Sequence, residues 1–180
     1  MLTYIKEKGV IKMKTFTKIS AEELNENFID LIGNKWMLIT ASKDDKVNTM
    51  TASWGGVGEL WNKNVAFAFI RPTRYTYEFV ENSELCTLSF FDEEYREKLA
   101  YLGKVSGRDE DKIGKMGLTV VKDGDISYFE EAKYVLVCRK LYKDDIEMEN
   151  FTDMPFGEKI YEGGNLHSMY INEILYALKS

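Results

Sequence analysis

The sequence predicts a mainly β protein with short helices, built as a closed or partly closed antiparallel barrel. Three observations carry that prediction. Short runs rich in apolar and β-branched residues recur along the chain, which is the patterning of strands. Polar turns such as Ser42-Lys43-Asp44-Asp45-Lys46 and Lys122-Asp123-Gly124-Asp125 join neighbouring runs, as hairpins require. The helical stretches between runs are few and irregularly placed, unlike the regular alternation of a parallel α/β sheet.

In chain order, Ser20 and Glu23 fit the S-x-x-E capping box. Leu24, Phe28 and Leu31 then share one helical face, and Gly33 ends the predicted helix. Strands are expected over 36–41 and 47–54, joined as a hairpin. Residues 65–70 form a continuous apolar run, as in a strand buried on both faces. Further strands are expected over 85–91, 118–121, 126–129, 134–142 and 169–178. Short helices are expected over 73–80, over 92–101 with Asp92 as N-cap, and over 109–116. Residues 144–165 read as a long loop or lid.

The chain has 180 residues, and at that length roughly 70% of the unfolded surface can be buried. Residues 1–13 read as an N-terminal extension, with Met13 as an alternative start, before a single domain over 14–180. Thirty acidic residues outnumber 24 basic ones, giving a net charge of −6. That balance argues against a general nucleic-acid binder, which needs a basic surface. A small anionic ligand needs only a local cationic pocket and stays open. No run approaches the ~18 apolar residues of a membrane span, and the N-terminus lacks the long apolar core of a secretory signal. Cys86 and Cys138 sit in apolar runs and read as buried thiols. The expected setting is the reducing cytoplasm.

Hydrolytic and metal sites find little support. His167 is the only histidine, and no H-E-x-x-H, C-x-x-C or G-x-S-x-G occurs. Gly55-Gly56-Val57-Gly58 lacks the Lys-Ser/Thr of a phosphate-binding loop and reads as a turn leaving a strand. Two stretches stand out instead. Asn48, Thr49, Met50, Thr51, Ala52, Ser53 and Trp54 combine small residues and hydroxyls, ending at a Trp and a glycine turn. Small side chains let a flat ring approach the backbone; an ordinary Thr-bearing strand would look similar. Arg71, Pro72, Thr73, Arg74, Tyr75 and Thr76 follow the buried strand where a helix begins. Arginine forks and free N–H groups suit a terminal phosphate, and a solvated loop with surface ion pairs is the alternative. A ring slot beside a phosphate clamp is what a flavin requires, because the cofactor carries the redox chemistry.

The two stretches, followed by Leu88-Ser89-Phe90-Phe91, by Ser106-Gly107-Arg108-Asp109 with Asp111-Lys112, and by His167, resemble the flavin reductase-like family, particularly its flavoredoxin-like branch. The likeness runs over residues 19–178. It implies a Greek-key FMN-binding split barrel that forms a homodimer. Residues 48–54 would line the ring and ribityl chain, and Arg71, Arg74, Tyr75 and Thr76 would hold the phosphate. Ser89 and Phe90 would close the pocket, and Ser106, Gly107, Arg108 and Lys112 would form a loop near the cofactor. By its own spacing, the 106–112 segment also fits a capped helix start with an Asp111–Lys115 pair. His167 would lie near the flavin or a nicotinamide, or serve as a hydrogen-bonded structural residue. Asn172 stands where the family often has glycine. The implied function is electron transfer through bound FMN to a small acceptor or another protein, with NAD(P)H as a transient donor or a redox protein as partner. The alternatives are a flavoredoxin-type carrier without nicotinamide activity, and a split-barrel binder of another planar ligand such as haem, with His167 as axial ligand.

Overall fold

The protein is described by a computed structural model covering residues 14–180. The expected extension over 1–13 lies outside the described residues. Strand β1 (Thr17–Ile19) leads into a 3-10 turn at Ala21–Glu23, where the Glu23 carboxylate accepts from the Ser20 N–H at 2.7 Å. The helix expected over 20–33 is broken here. Leu24 and Asn27 are extended, and Asn27 restarts the chain as the cap of α1 (Phe28–Asp30), accepting from the Asp30 N–H at 3.3 Å. A π-helical turn, Leu31–Lys35, follows and ends at Trp36, whose φ of 72° keeps it out of the next strand.

Hairpin β2 (Met37–Lys43) and β3 (Lys46–Ala52) matches the expected pair. The glycine-rich stretch departs from expectation. It is no turn but the start of strand β4 (Gly55–Leu60), paired with β5 (Lys63–Ile70). Glycine disfavours strands, which hid this one. Its use here is close approach: a Cβ on Gly55 would lie 2.6 Å from the Phe67 carbonyl oxygen. Helix α2 (Tyr75–Glu81) and β6 (Leu85–Phe90) come next. A 3-10 turn precedes α3 (Arg96–Lys104), and the Asp92 side chain makes no cap. In α4 (Lys112–Lys115) the Asp111 carboxylate does cap, accepting from Gly114 N–H at 3.0 Å. Lys115 pairs with Glu110 at 2.8 Å instead of with Asp111.

Hairpin β7 (Val120–Asp123) and β8 (Ile126–Phe129) forms a separate two-stranded sheet. The 144–165 segment is only partly irregular. It holds the end of β9 (Tyr134–Asp145) and a short helix α5 (Met154–Ile160), capped by Asp153 with Pro155 in its first turn. Strand β10 (Ser168–Lys179) closes the chain.

The main sheet is antiparallel, in the order β3-β2-β6-β9-β10-β5-β4, with β1 added to β10. Register shifts at Ile171/Asn172 and Ile174/Tyr176 bend β10. It can therefore follow β9 along its length while pairing with β5 at one end and β1 at the other. Strand β2 is buried on both faces. Met37, Ile39 and Ala41 pack inside the curl with Leu88, Leu136 and Tyr170. Leu38 faces a second core beneath α3 and the β7–β8 hairpin, with Leu99, Leu102, Phe129 and Val135. A sheet covered on both sides explains why several strands read as unbroken apolar runs. Cys86 and Cys138 are buried, free and directly opposite each other across β6 and β9. Among the described residues no helix is long and apolar enough to cross a membrane.

Candidate functional site

Strands β3 and β4 are the two ends of the sheet order, yet they are consecutive in the chain. Only Ser53 and Trp54 separate them. Three trans peptide steps reach at most about 11 Å, so the sheet must curl until its two edges meet at this corner. A cleft of about 350 Å³ opens at that seam, within the ~300–1,000 Å³ usual for small-molecule sites. Met50, Thr51, Ala52, Ser53 and Trp54 all line it. Side chains alternate along a strand, so five consecutive lining residues mean that the backbone edge itself forms the wall. Among the described residues that edge has no strand partner, which leaves backbone N–H and C=O groups for a ligand. Phe69, Arg71, Thr73 and Arg74 face it from the end of β5 and the following loop, and Asn165 and His167 from the approach to β10.

The Arg71–Arg74 loop is a turn, with the Arg74 N–H donating to the Arg71 carbonyl at 2.9 Å. The half-buried Arg74 guanidinium donates to the Gly103 carbonyl. Burial, and secondarily the positive Arg71, lower its pKa. Beside it a smaller pocket of about 70 Å³ is lined by Asn48, Tyr75, Thr76, Ser106, Gly107 and Lys112 among others. Lys112 is buried, with Nζ donating to the Leu102 and Val105 carbonyls at 2.7 and 2.9 Å. An ammonium has three donors, so one remains for a ligand. Burial first, and the Arg74 charge second, bring the Lys112 pKa down to about 8. Among the described residues no Asp or Glu lines either pocket, while Arg71, Arg74, Lys104 and Lys112 do. On a chain of net charge −6 this is a local reversal of sign. It fits an anion with several acceptor oxygens.

The expected site residues divide. Asn48 and Thr76 are buried and bonded to each other, Nδ2 to Oγ1 at 2.9 Å. Thr49 points away, between Thr40 Oγ1 at 2.8 Å and the Ile39 carbonyl at 3.1 Å. The Thr51 hydroxyl is held by the Leu99 carbonyl at 2.5 Å. Tyr75 lies between Phe79 and Arg108, at 4.9 and 4.7 Å from its ring. Arg108 is exposed and already paired with Glu78, so it does not add to the cationic wall. Ser106 accepts from the Arg108 N–H at 3.2 Å. Ser89 and Phe90 do not reach the cleft. Phe90 packs inside the curl on Phe28, ring centroids 6.0 Å apart, and Ser89 is fully buried, its hydroxyl without a partner among the described residues. Both faces of β6 are covered by core, which leaves neither residue a path to the seam. Asn172 is likewise internal, donating to the Ala66 and Tyr170 carbonyls at 3.2 and 3.4 Å.

His167 sits at the cleft with its ring 5.0 Å from that of Trp54. Its Nδ1 lies 3.0 Å from the Tyr161 hydroxyl. Burial, then the charges of Arg71 and Arg74, push its pKa down to about 4. Tyr161, Asn165 and Phe69 were not among the expected site residues. The one local signal was Gly163-Gly164, which takes φ values of 85° and 78° and turns the chain into Asn165 at 59°. Asn165 and Thr73 then bond side chain to side chain at 3.1 Å, joining this turn to the arginine loop.

Residues 30–170 match the family described as the flavin reductase like domain. No curated protein matches the chain. Among solved structures, flavoredoxin of Desulfovibrio vulgaris (Miyazaki F) is similar at 23% identity and a TM-score of 0.63, over 81% of this chain and 69% of that one. An FMN-binding domain of a flavin reductases-like enzyme from Shewanella baltica OS155 is similar at 15% identity and a TM-score of 0.67, over 92% and 77%. An FMN-binding protein from Thermus thermophilus, with bound p-hydroxybenzaldehyde, is similar at 15% identity and a TM-score of 0.62, over 100% and 82%. The curled antiparallel sheet is the split barrel that the sequence led us to expect. The family match covers most of the chain and includes both the β3–β4 seam and the arginine loop, and the chain belongs to the flavin reductase-like domain family.

Proposed function

We propose that the chain binds FMN at the β3–β4 seam and works as a flavin-dependent oxidoreductase. The observation that supports this most is the pairing of an unpartnered strand edge with an acid-free cationic pocket. The residues suit the group. Arg71 and Arg74 bring guanidinium forks to a phosphate, and Lys112 adds its remaining N–H. The backbone edge over 50–54 meets ring heteroatoms, and the small Ala52 and Ser53 leave room for a flat ring. Bound flavin supplies one- and two-electron chemistry, while the protein supplies position and field. NADH or NADPH as donor would share this cleft, because the sequence has no separate G-x-G-x-x-G fingerprint.

The test is the visible spectrum of purified protein after incubation with FMN and desalting. Flavin bands are expected; a colourless protein overturns the reading, and a Soret band favours the haem alternative. Riboflavin held as tightly as FMN would remove the phosphate clamp from the account. Anaerobic bleaching by NADH or NADPH then distinguishes a reductase from a carrier of the flavoredoxin type.

A homodimer is part of the same proposal. In support, Met154, Phe156 and Ile160 of α5 are exposed, as is Trp54 at the cleft. Sedimentation equilibrium tests it, and a monomer at micromolar concentration counts against it.

A further inference from the structure

His167 presents a hydrogen-bonding question that its partner answers. An imidazole that carries one proton can place it on either nitrogen, and the neighbour of one nitrogen decides. Here that neighbour is the Tyr161 hydroxyl, 3.0 Å from Nδ1. Tyr161 is buried, and its ring packs against Trp54, Phe151 and His167 itself at 6.5, 6.0 and 5.7 Å. Burial raises its pKa, with Arg71 and the His167 backbone N–H acting the other way, so the phenol keeps its proton.

That proton has no other acceptor among the described residues' hydrogen bonds. Donating it to Nδ1 satisfies both groups. The opposite arrangement, Nδ1–H to the phenol oxygen, leaves a buried O–H unpaired, which is unfavourable. The charged groups around the ring agree. Arg71 and Arg74 stand on the cleft side and oppose an imidazolium. From β9, the Asp145 carboxylate is taken up by the Ser168 hydroxyl at 2.5 Å.

We propose that Tyr161 is a positioning residue that fixes His167 as the neutral Nε2–H tautomer, so that the ring offers the cleft one hydrogen-bond donor for a carbonyl oxygen of the reducible substrate. The donor gives a hydrogen bond and loses no proton. A small conjugated carbonyl compound is the matching class: flat enough for the slot beside Trp54, and carrying an acceptor oxygen. The tautomer assignment stands on this chain alone, and the substrate class rests on the flavin reading.

His167 is the only histidine, so its two ring nitrogens can be read directly by NMR of ¹⁵N-histidine-labelled protein. Between pH 5.5 and 8 the wild type is expected to show a protonated Nε2 and an unprotonated Nδ1. A protonated Nδ1, or an averaged pair of shifts, overturns the assignment. Tyr161→Phe keeps the ring and removes only the donor. It should average the two shifts. Unchanged shifts in that variant would also defeat the assignment, and the wild-type spectrum decides even if the variant fails to fold. FMN-loaded protein is then titrated with p-hydroxybenzaldehyde. His167→Phe, which removes the donor itself, should weaken that probe about tenfold, the loss of one good hydrogen bond. Tyr161→Phe leaves Nε2–H populated about half the time and should weaken the probe only about twofold, with FMN affinity within about twofold. Equal probe affinity in the wild type and His167→Phe rejects the substrate class. Failure to bind FMN at all rejects the flavin reading and leaves the tautomer result intact.

Discussion

Asn48 on β3 donates from Nδ2 to Thr76 Oγ1 on α2 at 2.9 Å, and both side chains are buried. This bond ties the strand that walls the cleft to the helix behind the arginine loop. Gly107 packs against it so closely that a Cβ there would lie 2.3 Å from Asn48 Oδ1. Asn48→Ala leaves the Thr76 hydroxyl without its partner, and a loss of about 1–3 kcal/mol is expected in denaturant unfolding. Thr76→Ala should cost a similar amount. The double variant should cost clearly less than the sum, because one shared bond is removed twice. Strict additivity would show that the two groups act independently.

Arg74 and Arg108 provide a matched pair of arginines with different expected effects. Arg74 lines the cleft, whereas Arg108 is exposed and spent on Glu78. Arg74→Ala should weaken FMN about 10- to 100-fold, the worth of a hydrogen bond to a charged group, and leave riboflavin nearly unchanged. Arg108→Ala should alter FMN affinity less than threefold, since exposed ion pairs contribute little. Fluorescence titration with both flavins checks this. Equal loss of FMN and riboflavin in Arg74→Ala would end its phosphate role.

Lys112 predicts two pH trends of opposite sign. Its pKa is about 8 in the folded protein against about 10.4 for an exposed lysine. Between those values the unfolded chain holds more protons, so the ligand-free protein gains stability as pH rises through this window. The charged ammonium is the form that meets a phosphate, so FMN affinity should fall as pH climbs above about 8. Lys112→Met should flatten both curves. Thermal midpoints and FMN titrations between pH 7 and 10 measure them, and parallel trends would contradict the assignment.

Gly55 marks the corner where the two sheet edges meet. Gly55→Ala brings a Cβ to 2.6 Å from the Phe67 carbonyl and 3.1 Å from the Met37 methyl. The first contact is backbone and cannot yield without moving β5. A loss of about 1–3 kcal/mol is expected in denaturant unfolding, with weaker FMN binding as the seam opens. Gly58→Ala, on the same strand with open space around it, is the control and should change little.

Much of this protein was legible before folding. Arg71 and Arg74 follow a buried strand, and their place at its end is set by local sequence. The hairpin of β2 and β3 was marked by its polar turn, and the order of motifs identified the family. The seam was not legible, because the edge status of β3 and β4 is a property of the whole strand order and no local pattern encodes it. Ser89 and Phe90 were drawn inward because core covers both faces of β6, and Arg108 was diverted by Glu78 of helix α2. Asn165 reaches the cleft, and Tyr161 packs on Trp54 and His167 beside it, from a segment marked locally only by Gly163-Gly164, while Phe69 ends the strand that precedes Arg71. The depressed pKa values of Lys112 and His167 arise where burial and arginines converge. The sequence alone thus determined which chemistry the chain carries. The tertiary structure decided which of those residues meet, because charge, burial and hydrogen bonding act through space.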